Sequence, residues 1–380
     1  MNQKDVFFHP SSLIPHPFFH RAFYTQRGLF DSPLPLCYHF RRFLPERLFR
    51  QLLPSPEIKD MSTVTSTSNY IGINVSGASL AAALVSHEGG VLARRESALE
   101  NGDLPAQITR LVAELRDSSA TAPVAALGIG VPGLVNPETG RVVVSSDLPS
   151  VVRADLQTEL ARAVNLPITL VNDANAAAYG EYIAGAGRGS RNMFYVTIGM
   201  GIGGALIMGG KLWYGDSGFA GEFGHITIDR EGIECTCGNT GCLETVASAP
   251  NIVRRTHERL IRDSTSSLTR LGLNKNFTAA DIAHAANEGD DFAMLMIERT
   301  GRYIGTAIAA VINLLNIQRI VLGGGVMDAG KLILDPVIRE AGRRSFQPCF
   351  EATQIVAATL GADAVPTGAA MLARDAATTR

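Results

Sequence analysis

The chain reads as an α/β protein built from two similar lobes that face a cleft. Three features predict this. Short apolar strands alternate with helical segments from residue 69 onward, the pattern of α/β folds. A strand–hairpin–helix theme starts at Tyr70 and starts again at Phe194. Each copy carries a glycine-rich turn between its first two strands. The 380 residues match roughly two to three domains at about 150 residues apiece. With 46% hydrophobic and 18% charged residues, the chain can bury a sizeable core and is not largely disordered.

The first 60 residues stand apart. Residues 1–50 hold nine of the 16 Phe and four of the eight His, with Arg41, Arg42, Arg47 and Arg50 clustered among prolines. They show neither a heptad nor a clean alternation. They also lack the basic start, apolar stretch and small-residue cleavage site of a signal peptide. Three readings stay open: a disordered extension or mispredicted start before Met61, a partner-binding or membrane-touching arm, or a helix-turn-helix, for which the paired amphipathic helices are missing. Residues 1–68 are therefore set off as an extension and Ser/Thr linker.

Order begins at Asn69. Tyr70–Asn74 and Ser79–Val85 read as strands, and Gly89-Gly90 closes a hairpin. Apolar residues at helical spacing predict a helix over 104–116, and another spans 155–164. Val124–Val131 is an apolar run ending in Pro132-Gly133, and Ile168–Val171 a buried strand. Met193–Ile198 and Gly203–Met208 form a second hairpin. Residues 247–270 read as mostly helical, and 278–316 as two or three helices. Ile317–Leu322 is a strand running into Gly323-Gly324-Gly325, with a helix from about Lys331. The lobes are expected at 69–180, joined by a C-terminal helix near 363–378, and at 181–362.

A net charge of -2 advertises no nucleic-acid partner. No apolar run is long enough to cross a membrane as a helix. Five cysteines are too few and too clustered for a disulfide scaffold, which suits a reduced cytoplasm and one metal site.

Three of those cysteines lie in Cys235-Thr236-Cys237-Gly238-Asn239-Thr240-Gly241-Cys242-Leu243-Glu244, shortly after Gly221-Glu222-Phe223-Gly224-His225. His225, Cys235, Cys237 and Cys242 can supply the four N/S ligands of a closed tetrahedral Zn²⁺ site. With no position left for water, such a zinc is structural. The competing reading is three buried thiols and an unrelated histidine. Asn172-Asp173-Ala174-Asn175 falls between a strand and a helix, where a carboxylate points into a cleft. Phosphoryl transfer to a hydroxyl needs positioning, charge stabilisation and a base. Asp173 has the chemistry of that base, or of a cap for the next helix.

The string from Gly218 to Glu244 resembles the signature of the ROK family of repressors, open reading frames and sugar kinases, and the resemblance runs over about residues 69–375. It implies a two-lobed actin-like and hexokinase-like (ribonuclease H-like) ATPase fold with a structural zinc loop. It also implies an ATP- and Mg²⁺-dependent, glucokinase-like kinase for a hexose or N-acetylhexosamine, with Asp173 as general base. Glu222, His225 and Glu244, with Asn172 and Asp147, would bind the sugar, and His225 would also hold the zinc. Asp147 stands where family members usually place an Asn. The first phosphate loop, usually Asp-x-Gly-Gly-Thr-Lys, is here Asn74-Val75-Ser76-Gly77-Ala78-Ser79, so the carboxylate and a hydroxyl are lost and Gly77 survives. The second keeps Gly199, Gly201 and Gly203 but carries Met200 in place of a Thr. Gly323, Gly324 and Gly325 suit the adenosine turn, or a simple strand-to-helix turn. The family further implies a dimer or tetramer. The alternative function is a ROK sugar sensor that has lost catalysis.

Overall fold

The computed structural model describes residues 68–378, apart from 101–102, 120–121, 146–147, 153–154, 263–264 and 272–276. The expectations for residues 1–67 and for Asp147 lie outside the described residues.

Two five-stranded sheets repeat one topology. The first has the order β3-β2-β1-β4-β7, from β1 (Asn69–Val75), β2 (Ser79–Val85), β3 (Val91–Ala98), β4 (Val124–Val131) and β7 (Ile168–Asn172). The second has the order β10-β9-β8-β11-β12, from β8 (Met193–Ile198), β9 (Ile202–Met208), β10 (Lys211–Trp213), β11 (Arg319–Gly323) and β12 (Gln354–Ala357). In each, the first strand pairs antiparallel with the second and parallel with the fourth. A small hairpin of β5 (Leu134–Asn136) and β6 (Arg141–Val144), not anticipated from sequence, branches off after β4.

Burial explains the strand types. In β1 six of the seven residues are buried, as befits a central strand covered on both faces. Edge strand β3 has no buried residue, and its half-buried and exposed positions alternate. Helices α1 (Leu104–Asp117) and α2 (Leu156–Val164) lay Ile108, Leu111, Leu115, Leu156 and Leu160 into the core shared with Ile71, Ile73, Leu127 and Ile129. Asp103 and Asp155 cap them.

Helix α3 (Asp173–Ala184) packs against the C-terminal helix α10 (Ala364–Thr378), which lies on β1 and β4. Gly72 and Gly128 make that approach possible. A Cβ at either would run into the backbone of Pro366 or Ala369. The second core gathers Phe194, Val196 and Leu322 with short α4 (Glu244–Ala247), α5 (Ala249–Leu260), α6 (Ala279–Asn287), 25-residue α7 (Asp291–Leu315) and α8 (Lys331–Arg344). A short helix α9 (Gln347–Glu351) leads into β12. The region expected as one mostly helical stretch from 247 to 270 is broken. Ser248 adopts an extended backbone (ψ 156°) that separates α4 from α5.

Candidate active site

Strands of the first sheet end in one row. Asn74 of β1 lies opposite Gly130 of β4, which lies opposite Val171 of β7. Open α/β sheets bind ligands at this carboxyl edge. Here β7 passes directly into α3. The helix begins at Asp173, and its cap is Asn172. The Asn172 side chain accepts the Asn175 N–H at 3.0 Å and donates to the Gly133 carbonyl at 3.0 Å and to Asp173 Oδ1 at 3.1 Å. An amide can donate and accept at once, which a carboxylate at that position could not. Asp173 Oδ1 also accepts the Ala174 N–H at 2.8 Å. Two donors therefore orient this carboxylate at the positive end of a 12-residue helix.

The second sheet brings its glycine turn to the same corner. A Cβ on Gly203 would stand 2.9 Å from Cβ of Ala174, the neighbour of Asp173. The Ile202 N–H donates to Glu244 Oε2 at 2.8 Å, and a Cβ on Gly201 would sit 2.7 Å from that same oxygen. The Gly199 carbonyl accepts the Ala249 N–H at 2.8 Å. The turn is thus held between α3 and the α4–α5 junction. Met200 projects from it with 77% exposure. Gly323 ends β11 beside the Tyr195 hydroxyl. Gly324, at φ +88°, backs onto Ile198, where only glycine fits. A 3-10 turn from Gly325 to Ala329 follows before α8 starts at Lys331.

The first loop is different. Gly77 and Ala78 are exposed at its tip. Ser76 Oγ accepts the N–H groups of Ser79 at 2.9 Å and Ala78 at 3.3 Å. Two donors that could reach a phosphate are occupied by the loop's own hydroxyl. Sequence reasoning counted the residues lost here and missed Ser76. The signal was present, since a serine two or three residues before a tight turn commonly closes on the following N–H groups.

Glu222 and His225 lie beside Glu244. Burial raises the Glu222 carboxyl above its usual range, His225 opposes this, and Glu244 adds to it. His225 divides its ring between two neighbours. Nε2 lies 3.9 Å from Glu222 Oε2, and Nδ1 lies 3.7 Å from Cys235 Sγ. Cys237 and Cys242 sulfurs are 3.7 Å apart, and all four donor atoms lie within 4.8 Å of one another. A tetrahedron with Zn–S bonds of about 2.3 Å has S–S edges of about 3.8 Å. The donor set and spacing fit zinc. The Asn239 N–H holds Cys237 below the usual thiol range, while burial and the neighbouring sulfurs push Cys242 up to about 12. A divalent cation reverses that second effect and favours all three thiolates.

Residues 70–376 match the ROK family, and the chain belongs to it. Its fold is that of the actin- and hexokinase-like ATPases. A glucokinase of Halalkalibacterium halodurans is 34% identical over 319 residues, 80% of this chain and 94% of that one. The structure of a Streptomyces griseus ROK glucokinase in complex with glucose and AMPPNP superposes with a TM-score of 0.71 at 33% identity, covering 81% of this chain and all of that one. A ROK transcriptional regulator, a homologue of the E. coli MLC protein, gives a TM-score of 0.73 at 29% identity, covering 82% and 79%. Among the described residues no helix is long and apolar enough to cross a membrane.

Proposed function

We propose that this chain is an ATP-dependent sugar kinase acting on a hexose or N-acetylhexosamine, with glucose the first candidate. One observation carries the reading. The oriented Asp173 carboxylate adjoins the Gly199–Gly203 turn through the Ala174–Gly203 approach, so a base for the acceptor and a backbone cradle for the donor share one corner. The sugar would lie over Glu222, His225 and Glu244. Its hydroxyl oxygen attacks the γ-phosphorus, the bond to the bridging β–γ oxygen breaks, ADP leaves, and Asp173 takes the hydroxyl proton. Backbone N–H groups of the glycine turn meet the donor phosphates.

Zinc on His225, Cys235, Cys237 and Cys242 would supply rigidity, fixing the His225 ring so that Nε2 faces Glu222 and the sugar. Mg²⁺ would neutralise phosphate charge, held mainly by the nucleotide, since Asn74 offers an amide where a carboxylate is the better ligand. The two sheets would form lobes at 69–180 with the C-terminal helix and at 181–362. Closing them would exclude water. A cytoplasmic dimer or tetramer is the assembly this reading implies.

The test is ADP release by zinc-loaded chain beginning at Met61, with ATP, Mg²⁺ and a sugar panel. Turnover on one sugar, reduced about 10²–10⁴-fold by Asp173→Asn, supports the kinase. Wild-type and variant turning over alike would refute the role of Asp173.

Ser76 favours a second reading. A first phosphate loop closed on itself, next to Asn74, suits a sugar sensor without turnover. Sugar binding by calorimetry without ADP release on any sugar would select it.

A further inference from the structure

Helices α7 and α8 enclose a polar cleft of about 190 Å³, lined by Arg299, Arg302, Tyr303, Thr306, Glu340 and Arg344. Gly301 and Gly305 let the helices approach closely, since a Cβ at either would come within 2.8 Å of the facing backbone. Charges in the cleft do not balance. Among the described residues Glu340 is its one lining carboxylate and is 5% exposed. It is already taken by Arg343, at 3.1 Å from Nε and 2.8 Å from Nη2, and by Arg344 Nε. Those contacts hold it ionised, with its pKa pulled down to about 2. Nearby, Arg254 is paired with Glu258 and Arg339 with Glu298. Among the described residues Arg299 and Arg302 have no carboxylate partner. Being three residues apart on one helix, they share a face.

Behind them lies Arg255 of α5, 7% exposed. Its Nη1 donates to the Val246 carbonyl at 2.6 Å and Thr300 Oγ1 at 3.2 Å, and its guanidinium sits 4.9 Å from the Tyr303 ring centroid. It too has no carboxylate partner among the described residues. Burial lowers its pKa to about 10. Tyr303 opposes the shift, and Arg259, Arg299 and Arg254 add to it. A buried cation without a counter-ion is costly.

We propose that this cleft binds a phosphate monoester, the anion supplying the charge that Arg299 and Arg302 lack among the described residues, with Arg255 behind them adding to the positive field. A dianion matches two lining guanidinium groups without carboxylate partners among the described residues better than a carboxylate does, and guanidinium forks fit phosphate oxygens in bidentate fashion. The cleft has room for the phosphate and part of its substituent. Arg255 also grips the helix that begins at Glu244. A consequence for sugar affinity rests on the kinase reading, whereas binding itself does not.

The experiment is calorimetric titration of zinc-loaded protein with inorganic phosphate and with glucose 6-phosphate. Wild type is compared with Arg299→Gln/Arg302→Gln and with Asp173→Asn. Both arginines are on the protein surface side of α7, and an unchanged melting temperature checks the fold. The expected result is binding that weakens about tenfold or more in the double variant and persists in Asp173→Asn. Tighter binding of glucose 6-phosphate than of phosphate identifies a monoester as the ligand. Three results would each overturn the proposal: no binding by wild type at millimolar ligand, equal affinity in the double variant, or a changed oligomeric mass in the double variant, which would make the cleft an interface between copies.

Discussion

Replacing Ser76 tests whether the first phosphate loop is blocked by its own side chain. Its hydroxyl accepts the Ser79 N–H at 2.9 Å and the Ala78 N–H at 3.3 Å. A phosphate reaching for those donors must first displace it. Each such bond contributes a net ~0.5–1 kcal/mol in an exposed turn, the longer one at the low end. Their sum is about 1–1.5 kcal/mol, a factor of roughly five to ten in affinity. Ser76→Ala removes the acceptor without adding backbone freedom. Ser76→Gly does the same at a further stability cost of ~0.5–1 kcal/mol. The assay is calorimetric binding of a non-hydrolysable ATP analogue with Mg²⁺, which reads the loop whether or not the chain turns over. Both variants should bind about five- to tenfold more tightly. Unchanged or weaker binding in both would show that the Ala78 and Ser79 N–H groups do not meet the nucleotide.

Other predictions concern the sugar side and the framework. Gly201→Ala puts a Cβ 2.7 Å from Glu244 Oε2, so the carboxylate must swing away and lose the Ile202 N–H; sugar KM should rise about tenfold with the melting temperature nearly unchanged. Chelation should lower the melting temperature and abolish sugar binding, both restored by added Zn²⁺ and neither by Mg²⁺; indifference to chelator would remove zinc from the fold. Glu340, buried between Arg343 and Arg344, has its pKa lowered to about 2 from an ordinary 4.5. A depressed carboxylate stabilises above its unfolded pKa and loses that contribution as pH falls through the folded value. The shift corresponds to about 3 kcal/mol before screening by solvent at the half-exposed Arg343 and Arg344, so stability on the order of 2 kcal/mol should vanish between about pH 4.5 and 2, and Glu340→Gln should flatten that part of a melting-temperature profile.

Much was legible because the fold is written in local patterns. Apolar strands and glycine turns repeat from Tyr70 and from Phe194, and the two sheets share one strand order. The His225–Cys242 ligand set needs only a short loop, so spacing alone brought it out, and the four donor atoms do converge. Burial of Ser248 and the extended backbone there were not legible, and the break between α4 and α5 was missed because both flanking stretches have helical composition.

By itself the sequence determined the family, the repeated α/β topology and the cluster of His225 with three cysteines. Periodicity and motif spacing are properties of neighbouring residues, and they survive without coordinates. Only the tertiary structure decided which groups are already spent. It made Asn172 rather than Asp173 the cap, tied Glu244 to Ile202, turned Ser76 onto its own loop, and left Arg255 buried with no carboxylate partner among the described residues. Hydrogen bonds and counter-ions join residues far apart in the chain, or depend on side-chain rotation. Whether a polar group is free to act therefore depends on the fold around it.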